Sequence, residues 1–227
     1  MWHTLFLILA LVAGSKAGPI QEIQISDKCA RQCTVSHQFN YEPGTTYEFT
    51  YETDIRTAVQ GASEDHAGVH LTSKVYLDFA SKCEMIMRLS DVKLSEHDPE
   101  TSTMKPVSSP ELADLEKQPL TVSFQDGTIE DLCLSQVESD KTLNIKRGIL
   151  SLIQNNMDDI TKPQTLSESD VAGTCETEYS SQDKGWYKQI IKKSKNLLGC
   201  TERHNGNSAV QGIPYQAKSL RSNLELL

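Results

Sequence analysis

Residues 45–59 read TTYEFTYETDIRTAV. Tyr47, Phe49 and Tyr51 share one parity, and Glu48, Thr50 and Glu52 the other. In an extended chain, successive side chains point to opposite faces, so one face of this stretch meets a core and the other meets water. Aromatic and β-branched residues at period two mark a half-buried strand, and Glu42-Pro43-Gly44 supplies the turn before it. Working outward, Gly61 to Gly68 is a polar turn, and 69–80 resumes as a strand with Val69, Leu71, Val75, Leu77 and Phe79 on one face. Residues 83–94 continue the rhythm with Cys83, Met85, Met87 and Leu89 aligned. Three successive strands with short links form a meander, the usual start of an antiparallel sheet or barrel.

Residues 95–119 break the pattern. Pro99, Pro106, Pro110 and Pro119 punctuate a polar, charge-rich stretch, which reads as a long surface loop with a helical turn near 110–117. Strands return on either side of Asp126-Gly127, a hairpin dipeptide. Over 140–157 (DKTLNIKRGILSLIQNNM) the period becomes helical. Ile145, Ile149, Leu152, Ile153 and Met157 recur on one side, opposite Lys146 and Asn155, with Ser139 or Asp140 as cap. A lone amphipathic helix in a β domain is expected to fill the open face of the sheet. Beyond it, 174–180 and 186–193 flank the turn at Gln182-Asp183-Lys184-Gly185, and a further pair of strands flanks Asn205-Gly206.

At the amino terminus, Leu5 to Ala13 is an unbroken apolar run. Ser15 and Ala17 stand at the −3 and −1 positions of a cleavage site before Gly18. This reads as a signal peptide over 1–17, too short for the roughly 20 residues of a spanning helix. A secreted, extracellular protein without a transmembrane segment is expected. The 227-residue chain has 22 basic and 31 acidic residues; loss of Lys16 with the leader leaves 21 against 31, a net charge of −10. That balance argues against a sequence-independent grip on nucleic acid. All six cysteines (Cys29, Cys33, Cys83, Cys133, Cys175 and Cys200) lie beyond the leader, and an even count in an oxidising compartment favours disulfides over zinc. Spacing alone does not choose among the pairings.

Motifs for catalysis are missing: there is no G-x-S-x-G, no phosphate loop, no H-E-x-x-H and no dinucleotide fingerprint. No enzyme activity, cofactor or metal is expected. His66 and His70 are four apart, but in a turn and the strand after it, where that spacing has no metal-binding logic. Lys188, Lys192, Lys193 and Lys195 make a basic stripe in an acidic protein. A solvated strand face accounts for it, and so does a docking patch for an acidic partner or anionic lipid headgroups.

Several segments, in order, resemble the amino-terminal domain of the large lipid transfer proteins, the family of vitellogenins, apolipophorins, apolipoprotein B and the microsomal triglyceride transfer protein. They are Phe39-Asn40-Tyr41-Glu42-Pro43-Gly44, Tyr47-Glu48-Phe49-Thr50-Tyr51, and Cys83 leading to Leu89-Ser90-Asp91-Val92. The most specific is Leu143-Asn144-Ile145-Lys146-Arg147-Gly148-Ile149-Leu150-Ser151. Gly173-Thr174-Cys175, Lys195-Asn196-Leu197, Cys200-Thr201-Glu202-Arg203 and Gln211-Gly212 with Pro214-Tyr215 complete the series.

The resemblance implies a mainly β fold of the lipovitellin N-sheet type, a large antiparallel β-barrel-like sheet around one central helix, spanning 18–227. It implies bridges Cys33–Cys83 and Cys175–Cys200, which leaves Cys29 and Cys133 as a third pair. It also implies lipid transport, with lipids as partners through the larger family assembly and docking to a lipoprotein receptor or partner protein. Family members continue far beyond the position of Leu227, so the expectation is either a piece of such a protein or a short secreted recognition protein without lipid cargo.

Overall fold

A computed structural model describes residues 29–30, 33, 41–59, 66–98, 101, 103–134, 138–170, 173–183, 189–196, 200–201 and 215–226. The leader expected over 1–17, Lys188 and the Asn205-Gly206 hairpin lie outside the described residues. The meander is β1 (Thr46–Val59), β2 (His66–Ser81) and β3 (Glu84–Asp98). It is followed by β4 (Thr103–Val107), α1 (Pro110–Lys117), β5 (Leu120–Gln125), β6 (Thr128–Cys133) and α2 (Asp140–Ile153). The remainder is β7 (Gln164–Asp170), β8 (Gly173–Asp183), β9 (Gln189–Lys195) and β10 (Tyr215–Leu226).

Seven strands form one antiparallel sheet in the order β10-β1-β2-β3-β5-β6, with β4 paired to the end of β3. Strands β7, β8 and β9 form a second, smaller sheet. Register lines the expected apolar faces up. Phe49, Val75 and Leu89 are partners across β1, β2 and β3, and Phe79, Met85 and Val122 across β2, β3 and β5. All six are buried, and α2 lays Leu143, Ile149, Leu150 and Ile153 into the same core. Each such side chain contributes roughly 1.5–3 kcal/mol by leaving water. The helix therefore packs on the apolar face of the large sheet, as expected. The sheet's strand order is linear, with β6 and β10 at the two ends and no pair between them among the described residues.

Two local devices set the register. Asp126 (φ 48°) and Gly127 (φ 86°) both occupy the left-handed region, which a two-residue hairpin turn requires. In β3, Asp91 (φ 54°) forms a bulge where the partners jump from Thr72↔Lys93 to Lys74↔Ser90. The extra residue switches parity, so Met85, Met87 and Leu89 face the core before it, and Val92 and Leu94 after it.

The loop expected over 95–119 is shorter than read. β3 extends to Asp98 and returns as β4, whose only partner among the described residues is β3, so Pro106 sits on an edge where no ladder bond is lost. The expected helical turn is α1. The helix α2 also departs from expectation. Ser139 is its cap, its Oγ accepting from the Thr142 N–H at 3.1 Å, and it stops at Ile153 rather than running to 157. Its buried face includes Thr142, Leu143, Lys146, Ile149, Leu150 and Ile153, leaving Ile145 and Leu152 on the flank. Lys146, read as solvent-facing, is fully buried, and Asn155 is buried too. Lys146 Nζ is held 2.7 Å from Glu138 and donates to the Gln118 carbonyl, partners that make burial of an ammonium tolerable.

Candidate functional site

Sheet alternation divides the basic stripe. On β9, Lys193 and Lys195 point one way, and Ile190, Lys192 and Ser194 the other. Lys193 lies opposite Tyr179 and Lys195 opposite Thr177, both buried on β8. Their ammonium groups turn inward to β7, where Glu168 and Asp170 also face in at spacing two. Lys193 Nζ is 2.7 Å from Glu168, and Lys195 Nζ 2.6 Å from the same oxygen, with Asp170 as its second carboxylate partner. The side chains of Glu168 and Asp170 are 0 and 6% exposed. Two cations thus neutralise two anions in a nearly dry site. Burial alone would raise the Glu168 carboxyl, but the two ammonium groups outweigh it and hold it below the usual carboxylate range.

The cluster also clamps the helix. Lys193 Nζ donates to the carbonyls of Ser151 and Gln154, both at 2.8 Å, satisfying oxygens that the end of α2 leaves without intrahelical donors. Its ammonium stands 5.2 Å over the Tyr179 ring. Burial draws the Lys193 ammonium below its ordinary range, against the pull of Glu168. The Tyr179 hydroxyl donates to Glu168, and burial followed by that carboxylate pushes its pKa well above the usual phenol value. Lys193 is therefore committed to holding the small sheet against the end of α2, and Lys195 to bracing β9 on the carboxylates of β7. Among the described members of the stripe, only Lys192 carries its charge outward. It borders an open groove of about 340 Å³ with Thr165, Glu178, Ser180 and Ser194.

Reading β7 from sequence missed it because its inward face is Gln164, Leu166, Glu168 and Asp170, with little apolar signal. The usable signal was complementary: Glu168-x-Asp170 and Lys193-x-Lys195 place opposite charges at strand spacing.

The cysteines pair as Cys29–Cys133, Cys33–Cys83 and Cys175–Cys200. The first two fasten the segment before β1 to the end of β6 and to the β2–β3 turn. The third joins β8 to the segment after β9, beside a two-residue bridge of Thr174 and Thr201.

The model of the vitellogenin N-terminal domain family matches residues 41–223. Vitellogenin of Penaeus merguiensis is 28% identical over 206 residues, and the apolipophorins of Locusta migratoria 31% over 201. Each alignment covers 88% of this chain, but only 8% and 5% of those much longer relatives. Rat apolipoprotein B-100 matches at 28% over 68% of the chain. Among solved structures, a lipovitellin determined for its lipid–protein interactions superposes with a TM-score of 0.61, at 23% identity, over 72% of this chain and 18% of its own. At that identity the likeness concerns the fold alone. The chain belongs to the vitellogenin N-terminal domain family.

Proposed function

We propose that this chain is the amino-terminal β domain of a secreted lipoprotein of the apolipophorin or vitellogenin kind, working in lipid transport by binding rather than catalysis. The observation that carries the reading is the family match across residues 41–223. The lipovitellin-like fold supports it. Secretion is supported by the apolar run of residues 5–13 and by three disulfides, which persist in oxidising compartments. The core of the large sheet is filled by α2, so the domain's contribution is a rigid surface for lipid-particle assembly and for receptor or partner docking. On β9 that docking role falls to the outward Lys192 and its groove rather than to the inward lysines.

Antibody raised against the folded chain should recover, from extracellular fluid, a species that floats at lipoprotein density and yields lipid on extraction. Recovery of a lipid-free species of this chain's own mass would refute the lipid-transport reading and favour a stand-alone recognition protein.

A further inference from the structure

On the outer face of the large sheet, away from the helix, β1 places Glu52 and Asp54 two residues apart and therefore on one side. Their inward neighbours Tyr51 and Thr53 are buried, so the strand is anchored where it presents the two carboxylates. His70 of β2 is the register partner of Asp54. One ligating atom from each of Glu52, Asp54 and His70 lies within 4.8 Å of the other two. The imidazole Nδ1 is already 2.9 Å from the Asp54 carboxylate.

We propose that Glu52, Asp54 and His70 form a surface site for a divalent transition-metal ion, zinc foremost. Zinc bonds to nitrogen and carboxylate oxygen are about 2.0–2.2 Å, which in a tetrahedron separates ligand atoms by roughly 3.3–3.5 Å. The Asp54–His70 pair needs to open by only a few tenths of an ångström from 2.9 Å. Glu52 needs to approach by no more than the difference from 4.8 Å, within reach of side-chain rotation on a fixed backbone. β1 is flanked by β10 and β2, so the two acidic positions stand on an interior strand rather than a loose edge.

The donor set suits a cation. Lys74 on the same face is paired with Glu48 at 3.2 Å, and Arg221 of β10 is the register partner of Asp54. Two carboxylates beside a neutral imidazole supply three donor atoms to a divalent ion. The nitrogen donor separates this set from the all-oxygen shells of calcium and magnesium. Three protein ligands leave a fourth position for water. His66 and His70 stand four residues apart on β2, about 13 Å of extended backbone. His70 finds its ligating partners across the strand pair instead.

The test uses the full disulfide-bonded chain, stripped with chelator and titrated with zinc chloride against a competing chromogenic chelator. Wild-type protein should bind zinc in preference to calcium. His70→Ala should lose one equivalent or weaken it at least about tenfold, the scale on which even outer-shell ligand contacts matter. The milder Glu52→Gln/Asp54→Asn variant, which keeps side-chain size, should do the same, while His97→Ala binds as wild type. Thermal melts of each variant separate lost ligation from lost folding. No zinc bound by wild type, or unchanged stoichiometry and affinity in both ligand variants, overturns the proposal.

Discussion

Lys146 offers a sharp test of how this core is built. Its side chain is 1% exposed and that of Glu138 3%, with 2.7 Å between them. Replacing Lys146 with methionine keeps the aliphatic stem but strands a buried carboxylate and removes the donor to the Gln118 carbonyl. Breaking one side of a buried ion pair costs about 3–5 kcal/mol. Glu138→Leu, which strands the ammonium, should cost a similar amount. Were the two losses independent, the double variant would lose about 6–10 kcal/mol, comparable with the whole stability of an ordinary domain. The pair acts as a unit, so Glu138→Leu/Lys146→Met should be no worse than the milder single variant, with about 1 kcal/mol remaining for the unsatisfied Gln118 carbonyl. Urea unfolding with the disulfides intact, in a double-mutant cycle, measures this directly. Additive losses, or a Lys146→Met variant within about 0.5 kcal/mol of wild type, would refute the view that pairing makes this lysine a core residue.

Three further outcomes follow from the geometry. Glu168 is held below its unfolded value of about 4.3, so its share of stability is present above that pH and is lost as pH falls through the lower folded value. Glu168→Gln should therefore unfold earlier than wild type in urea near neutrality, with the two midpoints converging in acid. Gly148 lies within α2 with no atom within 4 Å of an added Cβ, so Gly148→Ala should stabilise by about 0.5–1 kcal/mol in the same assay. Paired serine substitution of Cys29 and Cys133, which close a separation of 104 residues, should cost about 1 kcal/mol more than that of Cys175 and Cys200, separated by 25; differential scanning calorimetry distinguishes them.

What could be read from the chain depended on whether apolarity carried the pattern. β1, β2 and the first half of β3 were legible because Phe49, Val75, Leu77, Met85 and Met87 keep strict parity and all become buried. The parity change after Leu89 also stands in the sequence, as Leu89 followed by Val92 and Leu94, but it makes sense only once Asp91 is seen to bulge. β7 and the orientation of Lys146, Lys193 and Lys195 were not legible. Periodicity rules send charge to solvent, and an exception depends on a counter-charge that is distant in sequence: 8 residues away for Lys146 and 27 for Lys195. The imidazole and carboxylates on the outer face were hidden for the same reason, since Asp54 and His70 meet only through the register of β1 with β2.

The pairing of the first strand with the last has a consequence for biosynthesis. Phe49 on β1 is the partner of Leu226 on β10, so one edge of the meander stays open until synthesis has reached residue 226. At about 5–20 residues per second, the wait is on the order of ten seconds or more. Throughout it, a strand with Tyr47, Phe49 and Tyr51 on one face offers unpaired backbone to any neighbouring chain. Non-local closure of this kind is slow to reward its own entropy cost. The interval before β10 arrives is therefore the one in which this edge is most open to pairing with a neighbouring chain.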